Sequence, residues 1–195
     1  TMLTQIADNN TTFIKSNLAQ YDINHGVKLE IIPLDGAPNS KIKRKIQIMW
    51  ALVFCLFNRQ WAPKNKGKVA EIIGRILLLI FRGPKIRYKL WRFAEKQMTK
   101  YPVDENTKYM TELCVNFKYV KNLYPKEIFE RAVYKEFEGH LMPVPVGYDK
   151  YLRMAFGDYM QLPPKDERVP KHDAVFVDLN NSYKKYKGIY YCTDS

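Results

Sequence analysis

The sequence is short of cysteine, histidine and apolar runs, and each shortage closes a class of function. Three cysteines, Cys55, Cys114 and Cys192, with no two closer than 59 positions, make neither a disulfide framework nor a zinc ribbon, so a reducing, cytoplasmic setting is the default. The first residues, TMLTQIADNN, have no basic segment followed by an apolar core, which excludes a signal peptide over that stretch. The apolar run from Ile46 to Phe57 is 12 residues long and contains Gln47, whereas a spanning helix needs about 20 apolar residues. There is no P-loop, glycine-rich dinucleotide turn, His-Glu-x-x-His or Gly-x-Ser-x-Gly, so several large enzyme classes lose support. The three histidines, His25, His140 and His172, are isolated in sequence.

Acidic residues are missing from one segment in particular. Residues 41 to 100 hold 16 Lys or Arg against only Glu71 and Glu95, while the remainder holds 16 basic and 18 acidic residues. The formal charge of +12 therefore belongs to that segment. Its periodicity is helical. Ile42, Ile46, Met49, Trp50, Val53 and Phe57 share a first stripe that Pro63 ends; Val69, Ile72, Ile73, Ile76, Leu77 and Ile80 make a second before Gly83-Pro84; Leu90, Trp91, Ala94 and Met98 make a third. Leu52, Phe54, Leu56, Leu78, Leu79 and Phe81 add apolar surface beyond a single stripe. Basic amphipathic helices too short to span predict docking on an anionic membrane surface, against the plainer reading that the stripes form the core and the bases are solvated. Nucleic acid is not expected as a partner, because the bases lie in very apolar helices and are not interleaved with aromatics on strands.

Alternation marks the strands. In His25–Gly36, Val27, Leu29 and Ile31 alternate with Lys28 and Glu30 until Pro33 stops the pairing, which puts Glu30 on a polar face, and Asp35 is expected to cap the following turn. Asn106 to Val120 alternates with Leu113, Val115, Phe117 and Tyr119 on one side and Glu112, Cys114, Asn116 and Lys118 on the other. That predicts a half-buried strand, sharing a sheet with residues 26 to 32. Pro125 opens a short helical turn, Ala132 to Phe137 and AVFVDL read as further strands, and NNSYKKYKGIYYCTDS reads as a polar tail. With no repeat and no linker, the prediction is one α+β domain over 1–195 that includes the basic helical region 41–100.

The most heavily punctuated stretch is Phe137 to His172, with five prolines and three glycines. Pro143 and Pro145 impose an extended approach, Tyr148, Tyr151, Leu152 and Ala155 fall on one helical stripe, and Gly157 suits the helix stop. Pro163 and Pro164 then fix the backbone, so that Asp158 and Tyr159 before them and Arg168 and His172 after them are placed at low entropic cost. Arg168 is suited to bidentate phosphate binding. The competing reading for Asp158, Arg168 and His172 is an ordinary helix stop and a solvated charged loop.

Glu138-Gly139, Pro145, Tyr148-Asp149, Leu152, Gly157-Asp158-Tyr159-Met160, Pro163-Pro164, Arg168 and His172 together resemble the C-terminal signature of the LicD family, the bacterial phosphocholine transferases to which the fukutin-type glycan phosphotransferases of animals are distantly related. The resemblance implies a nucleotidyltransferase-like mixed sheet with a basic helical insertion, and transfer of phosphocholine or a similar phospho-alcohol from a CDP-linked donor to the sugar hydroxyl of a glycan or glycolipid. It implies magnesium or another divalent cation held in part by Glu30, where the family usually has aspartate, with Glu30 and His172 as catalytic candidates and Arg168, Asp158 and Tyr159 as substrate-binding candidates. Work of this kind would sit on the inner face of the cell membrane. The alternative is a non-catalytic basic module for an anionic membrane or nucleic acid. The chain departs from the family in lacking a Gly-Thr-Leu-Leu-Gly type turn and an aspartate cluster, since Asp8 and Asp22 are single. Thr1 precedes Met2, and the run Asp8-Asn9-Asn10-Thr11-Thr12 resembles a turn internal to LicD proteins. The expectation from sequence is therefore an inactive fragment covering the last two thirds to three quarters of a family member.

Overall fold

A computed structural model describes residues 3–62, 67–114, 117–168 and 173–193. Val115 and Asn116, Pro63 and His172 lie outside these residues, and with them the central pair of the strand expected over 106–120. The chain divides into two compact units, one formed by Ile32–Met160 and the other by Leu3–Ile31 with the chain from Gln161 on.

The helical segment of the first unit lies where its periodicity puts it. Helix α1 (Lys41–Arg59) starts on Ser40, whose Oγ accepts the Lys43 N–H. Helices α2 (Lys68–Ile80) and α3 (Pro84–Met98) follow, the latter with Pro84 in its first turn. The buried side of α1 is not its most apolar stripe. Arg44, Gln47, Ala51, Phe54 and Phe57 face inward, while Ile42, Ile46, Met49 and Leu52 are exposed, Ile42 by 73%. The reason is a polar network that only these two side chains complete. Arg44 donates from Nη1 to Gln47 Oε1 at 2.6 Å, and from Nη2 to Thr111 Oγ1 at 2.7 Å and to the Val120 carbonyl. Gln47 Nε2 donates to the carbonyls of Gly36 and Met98, both at 2.9 Å. Turning the aliphatic stripe inward would leave those acceptors without donors.

Two of the acceptors, Gly36 and Thr111, belong to a small antiparallel sheet in the order β4 (Asp35–Ala37), β5 (Tyr109–Thr111) and β6 (Tyr124–Pro125). Two expectations are corrected here. Asp35 caps no turn: it pairs with Thr111 inside β4. The strand expected over 106–120 ends at Thr111, and Phe117–Val120 is a short helix, α4, with Glu112 and Leu113 buried in the bend between. Alternation failed because Glu112 is not a solvent-facing strand residue. Its carboxylate is buried as the acceptor of Tyr151 Oη, at 2.8 Å. The residues 26–32 and 110–120 also do not share a sheet, and the named strands among the described residues pair antiparallel in four small sheets in place of one mixed sheet.

A single 3-10 turn, Lys126–Phe129, leads into the hairpin of β7 (Ala132–Phe137) and β8 (His140–Pro145) and then into helix α5 (Tyr148–Phe156). The start of α5 is pinned to that turn. Gly147 N–H donates to the Ile128 carbonyl at 3.0 Å, and a Cβ on Gly147 would stand 2.7 Å from the Ile128 Cα, so no other residue allows the approach. Beneath α5, Tyr151 packs between Tyr124 and Phe129, with ring centroids 5.0 and 5.8 Å away.

The second unit pairs β1 (Thr4–Ala7) with β3 (Lys28–Ile31), Gln5 opposite Glu30, and β2 (Thr12–Lys15) with β9 (Ala174–Asp178). The stretch expected as a polar tail is instead packed. Tyr191 is buried against His25 with ring centroids 4.4 Å apart, Tyr190 stacks on Phe176 at 4.0 Å, and Cys192 N–H donates to the Ala19 carbonyl at 2.8 Å. Asp178 ties the turn together by accepting the Tyr186 hydroxyl, the Asn180 N–H and the Asn181 amide. A tyrosine ring can fill a core as an aliphatic side chain does, so a tyrosine within a charged sequence need not be solvated.

Candidate functional site

Two of the site residues expected from the sequence meet at the end of α5. Gly157 stops that helix with φ of +80°, a conformation that favours glycine, and the chain turns back so that Tyr159 lies over the helix. Tyr159 Oη donates to Asp149 Oδ1 at 2.8 Å, and the other oxygen of Asp149 accepts Arg153 Nε at 3.0 Å. The Arg153 guanidinium lies 5.7 Å from the centre of the Tyr159 ring and its Nη1 is 4.0 Å from Asp158 Oδ1. Asp149, Arg153, Asp158 and Tyr159 thus form one exposed cluster of alternating charge.

The cluster holds fixed protonation states. Hydrogen bonds from Tyr159 and then Arg153 draw the Asp149 carboxyl below its ordinary range, the Asp149 carboxylate raises Arg153, and it raises the Tyr159 hydroxyl in the same way. At neutral pH the group is an anion, a cation and an intact phenol. A depressed carboxylate is a weak proton acceptor, so the chemistry open to this cluster is binding: Arg153, oriented through Nε, presents a cation to an anionic group. Asp149 and Arg153 were not among the residues expected from the sequence. Their i, i+4 spacing on a helix is the signal that finds them.

Arg168 and Glu30 belong to the other unit. Pro164 precedes the 3-10 turn Lys165–Glu167, and Arg168 closes it by donating from Nε to the Pro163 carbonyl at 2.7 Å. Glu30 lies on β3, where Oε1 accepts Gln5 Nε2 at 2.9 Å across the strand pair. His172 lies outside the described residues. Among the described residues no group of three His, Cys, Asp or Glu is placed to hold a metal ion. One carboxylate facing a glutamine amide does not fit a magnesium ion, which takes six oxygen ligands in near-octahedral geometry. Asp35 does not complete such a site. It is half-buried with Oδ2 unpartnered, and burial raises its carboxyl above the ordinary value of 3.8. The Cys114 thiol is no more available, since burial pushes it to about 12.

The chain is 29% identical over 153 residues to "Lipopolysaccharide cholinephosphotransferase LicD" of Haemophilus influenzae (strain ATCC 51907 / DSM 11121 / KW20 / Rd). The match takes in 74% of this chain and 54% of the relative, so the chain spans about half the length of the protein it matches. No family model and no solved structure matches it.

Proposed function

Taking as premise that this chain resembles the LicD proteins along most of its length, we propose that it is a phosphotransferase of the LicD kind, moving phosphocholine from a CDP-linked donor to a sugar hydroxyl of a glycan or glycolipid at the inner face of the cell membrane. The observation that supports this reading is the 153-residue likeness to a protein named as a lipopolysaccharide cholinephosphotransferase. The nucleotidyltransferase-like fold is part of the same proposal.

The sugar oxygen attacks the phosphorus that bears choline, the bond from that phosphorus to the bridging oxygen of the diphosphate breaks, and CMP leaves. The hydroxyl proton passes to a base. Such a reaction depends on positioning and charge neutralisation more than on covalent chemistry. In this reading Arg153, held by Asp149, offers its cation to a phosphate of the donor, while substrate binding by Asp158, Tyr159 and Arg168 and proton removal by Glu30 or His172 are the roles that the LicD resemblance implies.

The test uses the full-length gene product with CDP-choline and a glycolipid acceptor, following CMP release. Arg153→Ala and Arg168→Ala are each expected to lower kcat/KM by about tenfold or more, as loss of a charged contact to a phosphoryl group does. Unchanged transfer in both variants would show that neither arginine touches substrate.

A further inference from the structure

Helix α2 is built with its apolar side outward. Val69, Ile72, Ile73, Ile76 and Ile80 recur at helical spacing, and all five are exposed, Ile72 by 56% and Ile80 by 65%. The opposite side carries Gly74, the buried residue of the helix, and the half-buried Glu71 and Leu78. This orientation is held in place. Arg87 on α3 donates to the Leu78 carbonyl at 2.9 Å and to the Phe81 carbonyl at 2.7 Å, satisfying the end of α2, and Arg82 Nε donates to the Leu79 carbonyl at 3.0 Å. Rotating α2 to bury its isoleucines would break these bonds.

We propose that α2 is an interfacial docking helix that inserts its isoleucine stripe into an anionic lipid bilayer. Charge complementarity selects this occupant. The two acidic residues between 41 and 100 are already matched within their own helices, Glu71 by Arg75 at 2.6 Å and Glu95 by Arg92, which leaves a large basic excess in the segment that carries the stripe. A second copy of the chain would bring two such basic surfaces together, and like charge opposes that pairing. Nucleic acid would match the charge but leave the isoleucines in water. An anionic bilayer takes both, the aliphatic side chains below the headgroups and the lysines and arginines among them. No helix among the described residues is long and apolar enough to cross a membrane, and α2 is about 20 Å long, the proportions of a helix lying in the interface.

The inference concerns lipid, and its test reads lipid binding apart from any transfer reaction. Full-length protein is mixed with sucrose-loaded vesicles of phosphatidylcholine, alone or with roughly one third phosphatidylglycerol, and sedimented. Binding to the anionic vesicles only is expected, with loss in high salt where the screening length falls to about 3 Å. Ile73→Asp with Ile76→Asp should lower the partition coefficient about tenfold or more while the circular dichroism spectrum stays unchanged, because both side chains are already exposed. Equal recovery with both vesicle types, no recovery with either, or binding indifferent to the double substitution overturns the proposal. So does a dimer in light scattering that the double substitution dissociates, which would give the stripe to a second copy.

Discussion

Helices α1 and α5 carry equally clear apolar stripes, yet only one buries the stripe it displays. In α5, Tyr151, Leu152 and Ala155 turn toward the unit, with Tyr151 against Tyr124 and Phe129. In α1 the inward side carries Arg44 and Gln47, and the isoleucines face out. Periodicity says that a helix has two unlike sides. Which side the core receives depends on what the core offers, and under α1 it offers the Thr111 hydroxyl and three carbonyls that need donors.

The sharpest way to break this comparison is to remove the arginine. Arg44→Met keeps the length of the side chain and takes away every donor, leaving buried acceptors unsatisfied, and should cost about 3 kcal/mol as a lower urea midpoint. Burial already lowers this guanidinium to about 10, which keeps it charged at neutral pH, so the loss should be present throughout the neutral range. The corresponding constraint on α5 is steric. Gly147→Ala sets a Cβ 2.7 Å from the Ile128 Cα, and moving α5 to relieve the overlap should cost about 2 kcal/mol by the same assay. On the outer face of α1, Ile46→Glu should change the midpoint by no more than about 0.5 kcal/mol. An Ile46→Glu cost as large as that of Arg44→Met would mean that the stripe is buried after all.

A smaller effect distinguishes the second unit, where polar ties hold a surface turn. Hydrogen bonds from Tyr186, Asn180 and Asn181 lower the Asp178 carboxyl from 3.8 to about 2. Because the folded value lies below the ordinary one, its stabilising contribution is complete above pH 4 and lost as the pH falls through about 2. The near-ultraviolet signal of the Tyr186 and Tyr190 cluster should weaken in that window, and Asp178→Asn should make it independent of pH there.

Much of this was legible in the sequence. Ser40, Pro84 and Gly157 bound their helices as their chemistry dictates, Pro125 opens its turn, and β3, β7 and β9 are strands where strands were expected, although Leu29 and Ile31 on β3 are exposed rather than turned into a core. What could not be read was the destination of polar side chains. Glu112 looked like the wet side of a strand and became a buried acceptor for Tyr151, 39 positions away, and Arg44 found Thr111 at a separation of 67. Local pattern carries no information about partners so distant. The tyrosines of the C-terminal stretch misled for a related reason, since the same residue serves a packed cluster, as Tyr191 does against His25, or a solvated surface. At the candidate site, Asp158 and Tyr159 follow the Gly157 stop, whereas Asp149 and Arg153 are visible in the sequence only as an i, i+4 pair, and their tie to Tyr159 and Asp158 appears only in the folded turn.

Phosphorus NMR of the reaction tests the proposed transfer of phosphocholine most directly. With CDP-choline, a divalent cation and a glycolipid acceptor, the full-length gene product should convert the paired diphosphate resonances into a phosphodiester resonance and that of CMP, only when acceptor is present and far more slowly in Arg153→Ala. Diphosphate resonances that stay unchanged, or that give free phosphocholine without acceptor, would contradict the assignment.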